Sequence, residues 1–186
     1  MGECPNCGGV PEKPDVLVTR FRNPAVVRRT PDEGIEQIAE FLGKVDLFKN
    51  LSQKALEILA TRVQLVSLPN GHILRENDPT DGLYIIKSGM ARVTKPAGTG
   101  ELQVDLATLR RGNAFGEIGL IDGLPRSANV TATEPMECYY LPRPVFLTAM
   151  EENPEIAVGM LPALAAMVRN ADQVAQTLLT MFSKEN

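Results

Sequence analysis

The residues best suited to chemistry lie in one stretch, Phe115-Gly116-Glu117-Ile118-Gly119-Leu120-Ile121-Asp122-Gly123-Leu124-Pro125-Arg126-Ser127-Ala128-Asn129-Val130. Its glycines let backbone N–H groups approach an anion closely, and a short helix starting near Gly116 aims its positive end the same way. Arg126 can grip a phosphate with two parallel N–H bonds, and Ser127 adds a hydroxyl. Glu117 is the odd member, because a carboxylate repels phosphate. It makes sense only if the ligand also carries a donor, such as a sugar hydroxyl, a few ångströms from its phosphate. A ribose joined to a compact phosphate meets that demand.

The Phe-Gly-Glu start, the spacing to Pro-Arg-Ser and the flanking strand patterns resemble the phosphate-binding cassette of the cyclic nucleotide-binding domain family. The resemblance runs from about Val45 to about Leu178. It implies that Glu117 takes the ribose 2′-OH, while Arg126, Ser127 and backbone amides around Gly116 hold the cyclic phosphate. Phe115, Ile118, Gly119 and Ala128 then complete the cassette, residues 115–128. The bacterial catabolite activators of that family align without gaps from Leu106 to Glu117 and again from Arg126 into the last helix. The cassette between those points is one residue shorter here. By that alignment Leu106 and Ala107 line the purine side, and Ala171 and Asp172 stand where activators place two hydroxyl residues that read the base. Both hydroxyls are missing. Asp172 offers two acceptor oxygens, which suit guanine's adjacent N–H donors better than adenine's single amine. The ligand expected is therefore cyclic AMP, on the family's habit, or cyclic GMP.

Two other functions compete for the same residues. A Glu and an Arg beside a phosphodiester suggest a cyclic-nucleotide phosphodiesterase, but His72 is the only histidine. No Asp/Glu set has two-metal spacing, and no Ser–His or Cys–His pairing marks a nucleophile. A haem or redox sensor on the same roll would leave Arg126 and Glu117 with nothing to bind. The expectation is a binding module with no catalytic residue, no metal and no cofactor beyond its ligand.

Composition agrees. The 186 residues are 44% hydrophobic and 23% charged, with net charge −4, which reads as a soluble domain with a sizeable core and argues against nucleic acid as main partner. No apolar run is long enough to span a bilayer, and the polar, Pro-rich start is no signal peptide. Three cysteines cannot all pair, which favours a reducing cytoplasm. Cys4 and Cys7 have the spacing of half a zinc site without a second half. Asn6 stands where a myristoylation motif wants Ser or Thr.

The elements that must position the cassette follow from periodicity. Residues 1–29, punctuated by Pro5, Pro11, Pro14 and Pro24, read as an extended arm, locally basic through Arg20, Arg22, Arg28 and Arg29. The domain proper is expected over 30–186. Helices fill 31–62: the first starts at a capping Thr30 with Pro31 behind it and ends at Gly43, and Ser52 caps the second. A roll of short strands fills 64–142, with strands at 64–68, 73–75, 83–87, 91–94, 102–106, 128–133 and 139–141. Asn77-Asp78 stands where the family favours a Gly, and Asn tolerates the left-handed backbone required there. The predicted fold is thus α+β, mainly an antiparallel β jelly roll (a double-stranded β-helix) with helices on either side.

Helices over 143–184 close the chain. Arg143-Pro144 opens one and Asn153-Pro154-Glu155 the next. The latter carries Leu161, Leu164, Met167, Val168, Ala171, Val174 and Leu178 at spacings of three and four. Such a wide stripe predicts a homodimer through the last helix. The activators continue into a DNA-binding helix-turn-helix for which this sequence leaves no room. Direct DNA binding is therefore not expected, and a regulatory role towards an unidentified effector protein is.

Overall fold

The run Leu83-Tyr84-Ile85-Ile86 is buried on both faces, and the fold is built outward from it. In the computed structural model, which describes residues 26–28, 34–97 and 102–183, these residues belong to strand β4 (Gly82–Ser88). It pairs antiparallel with β9 (Met136–Pro142). Alternation sends successive side chains to opposite faces. Leu83 and Ile85, with Tyr139 and Leu141 of β9, face a helical layer, where they meet Phe48, Leu59, Leu120, Phe146, Ile156 and Met160. Tyr84 and Ile86, with Cys138 and Tyr140, face the second sheet and meet Val66, Phe115, Val130 and Met136. A one-residue slip would exchange these two sets, so two different cores specify the register.

Nine strands are present among the described residues, and every pairing between them is antiparallel. The remaining strands are β1 (Val26–Arg28), β2 (Gln64–Leu68), β3 (Gly71–Leu74), β5 (Ala91–Pro96), β6 (Gln103–Leu109), β7 (Ala114–Phe115) and β8 (Asn129–Ala132). One sheet has the order β1-β2-β9-β4-β7 and the other β3-β8-β5-β6. This is the expected jelly roll. The strands start or end a few residues from the predicted positions, except for β2, which matches. The two-residue β7 is too short for periodicity to reveal.

The first helix, α1 (Ile35–Leu42), has Gly34 at its N-cap with no side-chain cap. It therefore starts later than the Thr30-Pro31 signal suggested, and Thr30 and Pro31 lie outside the described residues. Gly43 ends it as expected. Ser52 caps α2 (Gln53–Ala60) by accepting from the Ala55 N–H. In the stretch read as an arm, β1 is a strand on the edge of the sheet, paired with β2. The Cys4–Cys7 pair lies outside the described residues.

The chain closes with α4 (Arg143–Glu152) and α5 (Glu155–Ser183). Ile156, Met160 and Ala163 of α5 are buried in the helical core and Leu164 packs against it. From Met167 to Thr177 every residue is exposed. No helix is long and apolar enough to cross a membrane among the described residues.

Candidate functional site

Arg126 is the one charged residue among the buried ones described, 3% exposed. Its backbone is pinned first: the N–H donates to the Asp78 carbonyl, and its own carbonyl accepts from the Asn77 N–H, both at 2.9 Å. Asn77 has φ 65°, the left-handed backbone anticipated for it. The guanidinium then donates from Nη2 to Asp81 Oδ1 and to the Gly82 carbonyl (2.7 Å), and from Nη1 to the Gly116 carbonyl (3.1 Å). Its Nε–H is buried and has no acceptor among the described residues. A buried donor left without a partner costs about 1–3 kcal/mol.

The local sequence accounts for the surroundings. Gly116 caps α3 (Glu117–Asp122) with φ 85°, and a Cβ there would lie 2.2 Å from Arg126 Nη1. Only glycine both adopts that backbone and leaves the guanidinium its space. Asp122 Oδ1 accepts from the Leu124 N–H, turning the chain after the helix. Thr80 ties this turn to the neighbouring loop by donating to the Leu124 carbonyl at 2.7 Å. Beneath the site, Phe115 stacks on Tyr84 with ring centroids 5.1 Å apart, and Tyr84 packs at a tilt of 37° against Tyr140 at 4.8 Å.

These groups wall a cavity of about 240 Å³. The cassette contributes Phe115, Gly116, Glu117, Ile118, Gly119, Arg126, Ser127 and Ala128, and the second sheet contributes Leu74, Val93, Ala107, Leu109 and Val130. The wall is thus apolar on the sheet side and polar on the cassette side. Burial pushes the Glu117 carboxyl above the usual carboxylate range, partly offset by its own backbone N–H and by the charge of Arg126.

Three of the residues singled out in the sequence do not line the cavity. Leu106 is 54% exposed. The β5–β6 register runs Val93↔Ala107 and then Thr94↔Asp105, so Leu106 is the extra residue of a bulge and does not join Ala107. Ala171 and Asp172 are exposed on the part of α5 that has left the helical core. Sequence reasoning missed Asp81, Gly82 and Thr80. Asp81-Gly82 has the composition of a turn, and nothing local marks Asp81 as the partner of Arg126, 45 residues away. Among the described residues, no group of three or more His, Cys, Asp or Glu side chains is placed to hold a metal ion.

An antiparallel roll that presents a buried arginine, a left-handed glycine and a carboxylate in one cavity defines a site for a small polar ligand. Residues 64–153 match the family model of the cyclic nucleotide-binding domain, and through this segment the chain belongs to that family. The chain is 28% identical over 134 residues to a CRP-like cAMP-activated global transcriptional regulator of Mycobacterium tuberculosis, matching 72% of this chain and 59% of the regulator. It is 37% identical over 115 residues to the cGMP-dependent protein kinase, isozyme 1, of Drosophila melanogaster, covering 60% of this chain and 15% of the kinase. The fold superimposes on the Thermus thermophilus catabolite activator protein with TM-score 0.64 and 30% identity, covering 72% of this chain and 62% of that one. The chain therefore spans less than two thirds of the length of these proteins.

Proposed function

We propose that this chain is a cyclic nucleotide sensor whose cassette binds the sugar-phosphate and whose C-terminal helices transmit the binding. The observation that carries the reading is Arg126, buried on the cavity wall with its Nε–H lacking an acceptor. A phosphate oxygen would supply that acceptor and balance a guanidinium already neutralised in part by Asp81. Glu117, on the same wall, would accept from the ribose 2′-OH. The apolar side formed by Leu74, Val93, Ala107 and Leu109 would receive the base. None of these roles is catalytic.

Transmission would pass through Asp81. Its carboxylate holds Arg126, and its carbonyl accepts from the Arg143 N–H at 2.8 Å, where α4 begins. A phosphate that competes for Arg126 would loosen the first contact, and the start of α4 would register the change. Ligand affinity and helix position are then linked, each biasing the other. The exposed stretch of α5, with Val168 and Val174 each more than 60% exposed, would pair two chains.

The ligand is cyclic AMP or cyclic GMP, with cyclic AMP the first choice. The mycobacterial relative is named as cAMP-activated and the Drosophila relative as cGMP-dependent. Asp172, the residue that leaned towards guanine, is outside the cavity. Isothermal titration with both nucleotides tests the reading, and a chain that binds neither overturns it.

A further inference from the structure

A second built surface lies between α1 and the turn that joins β6 to β7. It is a groove of about 440 Å³ lined by Gln37, Glu40, Phe41 and Lys44 of the α1 side and by Arg111 and Gly112 of the turn. Arg111 is held in place there although it is exposed. Its guanidinium lies over the Phe41 ring, 5.0 Å from the centroid, and Nη1 donates to the Lys87 carbonyl at 2.9 Å. Phe41 is itself fixed edge-on to Tyr139 at 5.5 Å. No carboxylate pairs with Arg111 among the described residues. Most exposed arginines are flexible, and ordering one costs side-chain entropy. Here that cost is met within the domain, which leaves a pre-aligned fork of N–H donors facing water.

Lys44 adds a second cation. Its present partner is Glu40 at 2.7 Å, an i,i+4 pair with both side chains about 70% exposed (69% and 71%). Such pairs contribute about 0.3–0.5 kcal/mol, so a better-placed anion can recruit the ammonium. Gln37 offers both a donor and an acceptor, and the Phe41 edge offers apolar contact. Two cations, an amide and an aromatic edge match a peptide that carries one or two carboxylates. Glu40 and the net charge of −4 weigh against a polyanion such as nucleic acid or an anionic membrane.

We propose that this groove docks an acidic peptide segment of a partner protein, with Arg111 and Lys44 gripping its carboxylates. The turn that carries Arg111 also connects two walls of the nucleotide cavity. Leu109 precedes it, Ala114 follows it, and both line the cavity. The turn is rigid: the Arg110 N–H donates to Asn113 Oδ1, the Asn113 N–H to the Arg110 carbonyl and the Gly112 N–H to the Ile86 carbonyl. Peptide and nucleotide are therefore coupled, a part of the proposal that rests on the nucleotide reading.

The test is selection of a displayed random peptide library on the intact chain, followed by fluorescence anisotropy of the enriched peptides. The expected winners carry Asp or Glu and lose at least tenfold in affinity against Arg111→Glu and against Lys44→Glu/Arg111→Gln. Unchanged melting temperature and unchanged cyclic AMP titration would show that these variants are folded. Non-acidic winners, no winners, or peptides indifferent to both variants would overturn the docking site. Displacement of the peptides by millimolar inorganic phosphate would assign the groove to small anions instead and equally overturn it. Loss of cyclic nucleotide binding by the unmodified chain would strike the nucleotide reading alone. Equal peptide affinity with and without bound nucleotide would remove the coupling.

Discussion

Asp81 divides its carboxylate between two partners: Oδ1 accepts from the buried Arg126 guanidinium and Oδ2 from the Tyr84 hydroxyl at 3.1 Å. Burial, reinforced by the Asp81 charge, pushes the Tyr84 phenol well above its usual range, so Tyr84 stays a donor at any ordinary pH. The carboxylate thus compensates the charge of Arg126. Asp81→Asn should lower the melting temperature of the ligand-free chain, at a cost of about 1–3 kcal/mol, because a charged acceptor of a buried cation becomes neutral. The rise in melting temperature on adding cyclic AMP should then exceed that of the wild type, since phosphate replaces the lost charge. A smaller rise would mean that Asp81 orients Arg126 and does not compete with the ligand.

Arg126→Ala should abolish nucleotide binding. A buried phosphate without its guanidinium loses on the order of 3–5 kcal/mol, or roughly 100- to 1000-fold or more in affinity. Calorimetric titration reads this directly, and affinity near wild type would end the assignment of the cassette.

Gly116→Ala should also impair binding while leaving the roll intact. The left-handed backbone penalises alanine by about 1–2 kcal/mol. The new methyl would start 2.2 Å from Arg126 Nη1, so the guanidinium must move. At least a tenfold loss of affinity is expected, with strand content unchanged by circular dichroism. Wild-type affinity would show that the guanidinium position is not critical.

Glu117 provides a pH signature. Its carboxyl titrates above the ordinary value of 4.5, so the folded chain keeps this proton at pH values where the unfolded chain has lost it. Stability from this group is full below the ordinary value and is lost as pH rises through the raised one. Glu117→Gln removes that dependence. The ligand-free variant should gain stability over wild type as pH rises from 4 towards 8, and urea unfolding along that series would check it. Parallel curves would place the carboxylate in water. Nucleotide binding should weaken only moderately, because the amide oxygen still accepts from a 2′-OH. Should 2′-deoxy analogues bind as tightly as the parent, Glu117 has another task.

Two chains should associate through the exposed part of α5. Leu164, counted in that seam from its spacing, packs on the chain's own core, and Met167 lines a cleft with Leu47 and Ala114 of the same chain, which leaves Val168, Ala171 and Val174 exposed. Ala171→Glu with Val174→Glu should give a monomer by sedimentation at tens of micromolar, where the wild type should be a dimer. A monomeric wild type would exclude the seam.

Much of the cavity wall was legible because cassette residues are neighbours in the chain, and one short segment brings a glycine turn, a carboxylate and an arginine together. The β2 strand and the Ser52 cap were legible for the same reason. What escaped depends on distance or on exceptions to periodicity. Asp81 gains its role only when β4 is folded beside the cassette. Leu106 follows a period-two pattern in sequence, and a single bulge removes it from the cavity. Asp172 was placed by alignment on a helix whose contact with the domain ends several residues earlier, and no residue pattern marks where a helix parts from its core.

The order of the five-stranded sheet has a practical consequence. β1 and β7 occupy its opposite edges, and Phe115 of β7 is part of the cavity wall. Four inter-strand steps separate the two edges by roughly 19 Å. A fluorophore or affinity handle attached on β1 itself would sit at the sheet edge opposite β7 and serve as a silent anchor for immobilisation. The same label on the exposed stretch of α5 would ride on a helix rooted in the core and reach out into solvent, making it an antenna. Optical biosensors based on this domain should therefore be tethered at the first position and read at the second.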